Sequence, residues 1–240
     1  MKSAILREQG LAKLTVEDFR NIAIFRDLEA EALNGLVVAC SVRDYGPGEL
    51  VVGHNDTTFD VFFLLSGKLH MSLYSADGQR VGLHEMSAGG MFGEISAVDG
   101  LPRSVSVDSA TRCSIAIMPW QRFLAMIESS PCFAMAVTRQ LATHVRRLTT
   151  RVFEFSTMAV RQRLRAELLR QALPVVEDTA AIDPMPTHAE LASRISTHRE
   201  AVSREMAWLE GKGLVVKKGK ALVIPSIARI RALIEQSWND

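Results

Sequence analysis

Apolar residues change their spacing along the chain, and each change marks a new kind of element. Up to about residue 40, Ile22, Phe25, Leu28, Leu33 and Leu36 recur at helix-like intervals among acids, which predicts short helices. From Ser41 short apolar runs alternate with turn signals at intervals of about ten residues. The turns read Gly46-Pro47-Gly48, Gly53, Ser66-Gly67-Lys68, Asp77-Gly78, Gly89-Gly90 and Asp99-Gly100. Val61 to Leu65, Leu69 to Tyr74 and Ser114 to Met118 read as strands, with Asp77-Gly78 as a hairpin turn. Many short strands with glycine-rich turns predict a β-sandwich or roll.

At Pro119 the pattern becomes helical. Gln121 to Ile127 is one short helix, and Ser130 then caps a helix with Pro131 at its first position. That helix runs to about Thr157, which is about 40 Å at 1.5 Å per residue. Leu141, Val145, Leu148, Val152 and Phe155 stand four, three, four and three apart on it. This is a heptad seam, which favours a parallel homodimer over one long helix packed on its own sheet. A break at Ser156-Thr157 precedes a helix from Ala159 to about Ala172, and Leu173 to Pro186, with three prolines, reads as a loop. The chain divides into residues 1–157 and 158–240 at this break.

Two Thr-x-x-Glu capping boxes follow. Thr187 to Glu190 opens one helix and Thr197 to Glu200 opens the next, with almost no chain between them, as in a helix-turn-helix. Gly211-Lys212-Gly213 ends the second helix. Leu214 to Lys217 and Ala221 to Ile224 form a small β-wing, and Ile227, Ile230, Leu233 and Ile234 line a terminal amphipathic helix.

Composition refines this division. The 240 residues are 48% hydrophobic with a formal net charge of +1, so a real core is available and no global field points to a polyanion. The charge is uneven: from Ala159 onward, 13 Lys and Arg face 10 Asp and Glu, whereas the rest has 15 against 17. Cys40, Cys113 and Cys132 are scattered and odd in number, so neither a disulfide framework nor a CxxC pair is present, and a reduced cytoplasmic setting fits. MKSAILREQG has no long apolar stretch after its lysine, so no signal peptide is expected. Val61 to Leu65 is too short to span a bilayer, and no membrane association is expected.

The richest chemistry lies in Phe92 to Val105, FGEISAVDGLPRSV. Gly93 lets the backbone approach a ligand, the peptide N–H groups after it can cradle an anion, and Arg103 offers a fork matched to phosphate oxygens. Glu94, an acceptor-only carboxylate, suits a sugar hydroxyl. Spacing alone fits equally well an ordinary hairpin bearing a surface ion pair. The segment resembles the phosphate-binding cassette of cyclic-nucleotide-binding domains. The resemblance implies that Gly93, Glu94, Ile95, Arg103 and Ser104 meet the ribose and cyclic phosphate.

A second constellation begins the last long helix. Arg199, Glu200, Ser203 and Arg204 lie near its start, where arginine can grip guanine bidentately and glutamate can accept from cytosine. A solvated helix face with an i,i+4 ion pair has the same residues. The run THREAVSREMAWLEGKGLV resembles the recognition helix of the CRP/FNR family of transcription regulators. The resemblance implies that Arg199, Glu200 and Arg204 read bases, with Thr187, Thr197 and His198 beside the phosphates. It implies an α+β protein with an N-terminal antiparallel, jelly-roll-like β-roll sensor, a long dimerisation helix and a C-terminal winged helix-turn-helix. It further implies a cytoplasmic homodimer, gated allosterically by cAMP or cGMP, on a palindromic TGTGA-type site of double-stranded DNA, with RNA polymerase as a partner.

The base end of the nucleotide site departs from the family. An ungapped match of the dimer helix puts His144, Leu148 and Thr149 against the base, and only Thr149 keeps a matching hydroxyl. His84, on the strand before the cassette, lies near the base or is an ordinary strand histidine. cAMP, cGMP or both therefore stay open, as does a regulator of this fold that is ligand-independent or senses another effector. Cysteine spacing disfavours an iron–sulfur cluster, and no histidine is placed to argue for haem. With no metal-ligand cluster and no nucleophile–base pair, an enzyme is not expected, and no catalytic cofactor is.

Overall fold

The computed structural model describes residues 14–26, 28, 30–74, 80–172 and 174–236. The N-terminal MKSAILREQG and the Asp77-Gly78 turn lie outside the described residues. Helix α1 (Val16–Arg20), a 3₁₀ turn at Ala23–Phe25 and α2 (Ala30–Ala39) come first. Strands β1 (Ser41–Tyr45), β2 (Leu50–Val52), β3 (Val61–Ser66), β4 (Lys68–Tyr74), β5 (Arg80–Ser87) and β6 (Met91–Phe92) lead to the short helix α3 (Glu94–Asp99). Then come β7 (Ser106–Ser109), β8 (Cys113–Met118), α4 (Trp120–Ser129) and the long α5 (Pro131–Thr157). The rest comprises α6 (Val160–Gln171), β9 (Ala180–Ile182), α7 (His188–Arg194), α8 (Arg199–Gly211), β10 (Val216–Lys218), β11 (Ala221–Ile224) and α9 (Ile227–Gln236). By compactness the chain forms two units. The division falls inside α5, between His144 and Val145, and Tyr74 with residues 80–82 goes to the second unit.

The first unit contains two four-stranded sheets, ordered β1-β8-β3-β6 and β2-β7-β4-β5. Every strand pair with a described register in them is antiparallel, giving the expected β-roll. The uninterrupted apolar run of β3 has a direct cause. Successive side chains point to opposite faces of a strand, and both faces of β3 are covered. Phe62 and Leu64 enter the core between the sheets with Tyr45, Leu69, Phe92 and Ile115. Val61 and Phe63 enter a second core under the helices. There Phe63 lies 4.8 Å from Phe25, which stacks at 5.8 Å on Phe133 in the first turn of α5. Ser130 Oγ accepts from the Phe133 N–H at 3.3 Å, satisfying one orphan donor of that helix.

The second unit packs α6, α7, α8 and α9 with the sheet β10-β11-β9. Leu164, Leu168, Leu191, Val202, Met206, Leu209, Leu222 and Ile230 form its centre. Beneath α8, Arg165 grips one oxygen of Glu205 through Nε and Nη2, at 2.9 and 2.7 Å. Both side chains are buried, so the pair is costly to break from either side. The final turns of α5 join this unit through ion pairs of Arg151 and Arg170 with Glu154 and Glu167. Ser193 Oγ accepts from Gly82 N–H and donates to the Arg80 carbonyl, both at 3.1 Å, which explains why residues 80–82 group here.

Two expectations are corrected. Residues 174–186 are not all loop: Ala180 and Ile182 are buried in alternation, and β9 pairs antiparallel with β11, Ala180 opposite Ile224. Just before β9, Glu177 and Asp178 take left-handed backbone in a tight turn, and Asp178 Oδ1 accepts from Ala228 N–H at 2.9 Å at the start of α9. The second capping box also does not form. His198, not Thr197, is the N-cap of α8, and it makes no side-chain cap bond. Left-handed Ser196 completes the turn, and the Thr197 N–H goes to the Ala192 carbonyl, so α8 starts one residue late for the box. The first box is present: Glu190 N–H donates to Thr187 Oγ1 at 3.2 Å, and Thr187 N–H to Glu190 Oε2 at 2.6 Å. Among the described residues no helix is long and apolar enough to cross a membrane.

Candidate functional site

The cassette is built around one backbone position. Gly93 caps α3 with φ 87°, a left-handed conformation that disfavours any side chain. A Cβ there would also stand 2.8 Å from both the Asp60 carbonyl and Arg103 Nη1. The chain can therefore turn this tightly only at glycine. Arg103 fills the space so spared. It donates from Nη1 to the Gly93 carbonyl at 3.1 Å, from Nη2 to the Asp60 carbonyl at 2.8 Å and from Nε to Thr58 Oγ1 at 3.2 Å. Each terminal nitrogen carries a second N–H beyond these bonds. The guanidinium also lies over the Phe62 ring, at 5.2 Å, and that ring stacks on Phe92 at 4.8 Å.

Arg103 is 3% exposed and Glu94 2%. Burial pulls the arginine below its ordinary range, while Asp60, Asp56 and Glu94 act in the opposite sense. The site thus encloses a basic and an acidic side chain within one short segment. Of the other cassette residues, Ile95 is exposed on α3 and Ser104 is exposed beside Arg103. The chemistry fits a small ligand that offers an anion and a hydroxyl together.

The residues expected at the base end are placed differently from one another. His144 Nδ1 lies 3.3 Å from Glu94 Oε1, which brings it beside the acidic residue of the cassette. His84 is half-buried on β5. Thr149 belongs to the second unit, where its hydroxyl donates to the Val145 carbonyl of its own helix at 3.0 Å. Of the seam residues, Val145, Leu148 and Val152 are 62%, 53% and 65% exposed. Leu141 packs on the helix-side core, and the guanidinia of Arg151 and Arg163 each lie over the Phe155 ring at 4.8 Å.

On α8 the inward face is Val202, Glu205, Met206 and Leu209, which leaves Arg199, Glu200 and Arg204 exposed. His198 is exposed and Thr197 half-buried at the turn before it. Ser203 is not free to face outward alone, because its Oγ lies 2.8 Å from His188 Nδ1 on α7. Burial lowers the His188 pKa, and Lys217 of β10 and Arg199 lower it further, against Glu210. Lys217 in turn pairs with Glu210 at 2.7 Å.

Sequence reasoning missed Thr58 and Asp60 as partners of Arg103, and His188 as the partner of Ser203. The Asp60 contact is made by a backbone carbonyl, which leaves no residue signature. His188 had a weak signal as the second residue of the first capping box. Among the described residues no group of three or more His, Cys, Asp or Glu is placed to hold a metal ion. Burial raises the Cys40 pKa to about 12, so that thiol is no nucleophile.

Comparison with known proteins matches two family models to the chain. Residues 42–130 match the model of the cyclic nucleotide-binding domain, and residues 162–233 that of the Crp-like helix-turn-helix domain. The cAMP-activated global transcriptional regulator CRP of Haemophilus influenzae is 24% identical over 80% of this chain and 87% of its own length. The cAMP-activated global transcriptional regulator Vfr of Pseudomonas aeruginosa is 23% identical over 85% and 98%. Among solved structures, a CooA mutant from Carboxydothermus hydrogenoformans superposes with a TM-score of 0.73 at 16% identity, covering 85% of this chain and 94% of that one. The c-di-GMP responsive global regulator CLP of Xanthomonas campestris gives 0.71 at 19% identity, covering 82% and 100%. These two likenesses are of fold.

Proposed function

The chain belongs to the CRP/FNR family of transcription regulators, and from that premise we propose that it is a homodimer in which cAMP or cGMP sets affinity for a palindromic TGTGA-type DNA site. As a member of this family it carries a cyclic nucleotide-binding domain and a Crp-like helix-turn-helix domain, and it is a DNA-binding transcription regulator and not an enzyme. The observation that carries the effector reading is that Arg103 and Glu94, both buried, stand at one cassette, with Arg103 bound to the carbonyl of Gly93 and Glu94 the residue after it. Buried charges need polar partners. A phosphate on Arg103 and a ribose hydroxyl on Glu94 would use both.

Gating follows from a population shift. The DNA-competent state must bind the effector more tightly than the resting state does, or occupancy changes nothing. In this reading Val145, Leu148 and Val152 pair across two copies of α5, and the break after Thr157 lets the two α8 helices take the spacing of successive major grooves. Arg199, Glu200 and Arg204 read base edges, and His198, Thr197 and Thr187 lie toward phosphates. We take residues 1–157 as the sensing and pairing part, 158–240 as the reading part, the cytoplasm as the setting and RNA polymerase as a partner.

One observation favours a second reading, in which the pocket senses another effector or none. Arg103 is already held by two carbonyls and a hydroxyl, and Glu94 already faces His144. Regulators of this fold include the c-di-GMP responsive CLP. Titration of cAMP, cGMP and c-di-GMP, each with and without a palindromic TGTGA-type duplex, separates the readings. Tighter duplex binding with cAMP or cGMP is the expected result. Equal duplex affinity with and without either nucleotide would establish the second reading.

A further inference from the structure

Ser203 links the exposed side of α8 to a titratable group. It stands four residues after Arg199 and three after Glu200, so it shares their side of the helix. Val202 and Glu205 beside it are buried, whereas Ser203 is only half-buried and Arg204 is exposed. His188, at the start of α7, places Nδ1 2.8 Å from Ser203 Oγ. A serine hydroxyl has one O–H to donate and two lone pairs to accept with. A neutral imidazole allows either direction: Nδ1 accepts the Ser203 O–H in one tautomer and donates to Ser203 Oγ in the other. A protonated imidazole only donates, which releases the Ser203 O–H toward whatever else the hydroxyl meets. The charged groups facing His188 are Lys217 of β10 and Arg199 and Glu210 of α8, with Lys217 paired to Glu210 at 2.7 Å. Burial first, then the two cations, favour the neutral ring in the free protein. The phosphates of a bound duplex act in the opposite sense.

We propose that His188 is a positioning residue that sets the hydrogen-bond direction of Ser203, and that its protonation makes Ser203 an obligate donor to the base it meets in the major groove. The inference rests on the reading of α8 as the helix that meets base edges, and adds a pH-dependent specificity to it. Cytosine shows only a donor at that edge, its N4 amino group, whereas guanine, adenine and thymine each show an acceptor. Protonated His188 therefore rejects cytosine at the position Ser203 faces. Neutral His188 lets Ser203 turn either way and admits all four bases.

The test is selection from a randomised duplex library by the full-length chain, with cAMP and cGMP both present, at the two ends of the range from about pH 5 to about pH 8 in which histidine titrates. Duplexes differing at single base pairs then give affinity ratios. The wild-type chain is expected to show one base pair in each half-site at which cytosine is rejected about tenfold more strongly at the lower pH, the worth of one hydrogen bond. Ser203→Ala should abolish that change. His188→Lys, a permanent donor, should reject cytosine at both pH values. His188→Gln, which offers a donor and an acceptor without titrating, should reject it at neither. Each ratio compares two duplexes on one protein, so loss of folded material cannot imitate the result. A wild-type preference that is independent of pH at every position overturns the inference and leaves the reading of α8 standing. A pH-dependent position that persists in His188→Gln overturns it as well. A chain with no sequence preference at either pH removes both.

Discussion

Arg103 Nη1 donates to the Gly93 carbonyl at 3.1 Å, and a Cβ on Gly93 would stand 2.8 Å from that same nitrogen. The two residues are thus one device, in which the missing side chain of the first makes room for the second. Gly93→Ala strains a left-handed backbone, at a cost of about 1–3 kcal/mol, and also displaces the guanidinium. Thermal unfolding should show the destabilisation, and calorimetry should show weakened binding of cAMP or cGMP. Unaltered values in both would mean the turn relaxes freely.

Arg103→Lys keeps a cation but not the fork. A lysine ammonium cannot hold the Gly93 and Asp60 carbonyls and Thr58 in one plane. Nucleotide affinity is expected to fall by about ten- to a hundredfold, the worth of a lost charge-assisted bond. Wild-type affinity in calorimetry would remove Arg103 from the phosphate site.

Leu148→Asp places a charge in the exposed stripe of Val145, Leu148 and Val152. A seam of this kind cannot bury an unpaired carboxylate. Sedimentation should change from dimer to monomer at micromolar protein. A dimer of unchanged strength would place the pairing surface elsewhere.

Glu200→Ala is expected to flatten discrimination at one base pair of each half-site by about 1–3 kcal/mol, with nucleotide affinity untouched. Selection from a randomised duplex library reads this directly. The same preferred sequence from wild-type and variant protein would relegate Glu200 to the solvated face.

His188 supplies a pH dependence. Burial and the cations Lys217 and Arg199 hold its folded pKa down. A histidine depressed in this way stabilises the fold above its unfolded value of about 6.5, and that contribution is lost as pH falls through the folded value. Stability from denaturant unfolding should therefore decline below about pH 6.5, and His188→Asn, which keeps a polar group toward Ser203, should decline less. Parallel curves would assign the slope to other groups.

The long elements were legible because each carried redundant signals. Pro131 after Ser130 marks the start of α5, and the heptad from Leu141 to Phe155 carries it to Thr157. β9 was not legible, since three residues between prolines, with only Ala180 and Ile182 inward, give no period to read. The cassette was legible as a set of residue types but not as a contact map. Asp60 acts through its carbonyl, and Glu94 meets a residue fifty positions away whose distance no local pattern encodes. His198 displaced Thr197 as the cap because left-handed Ser196 used up a residue of the turn. Such a choice is made by tertiary packing, not by capping preference.

β3 carries one further consequence. Phe62, under the Arg103 guanidinium, and Phe63, against Phe25 and near Phe133, are consecutive residues on opposite faces of one strand. A volume change in the aromatic layer therefore moves the floor of the cassette without touching any ligand atom. In a genetic screen for altered effector response, alleles at Phe25 and Phe133 should accumulate beside those at Arg103. They would be heritable sensitivity variants whose lesions lie on the far side of the sheet.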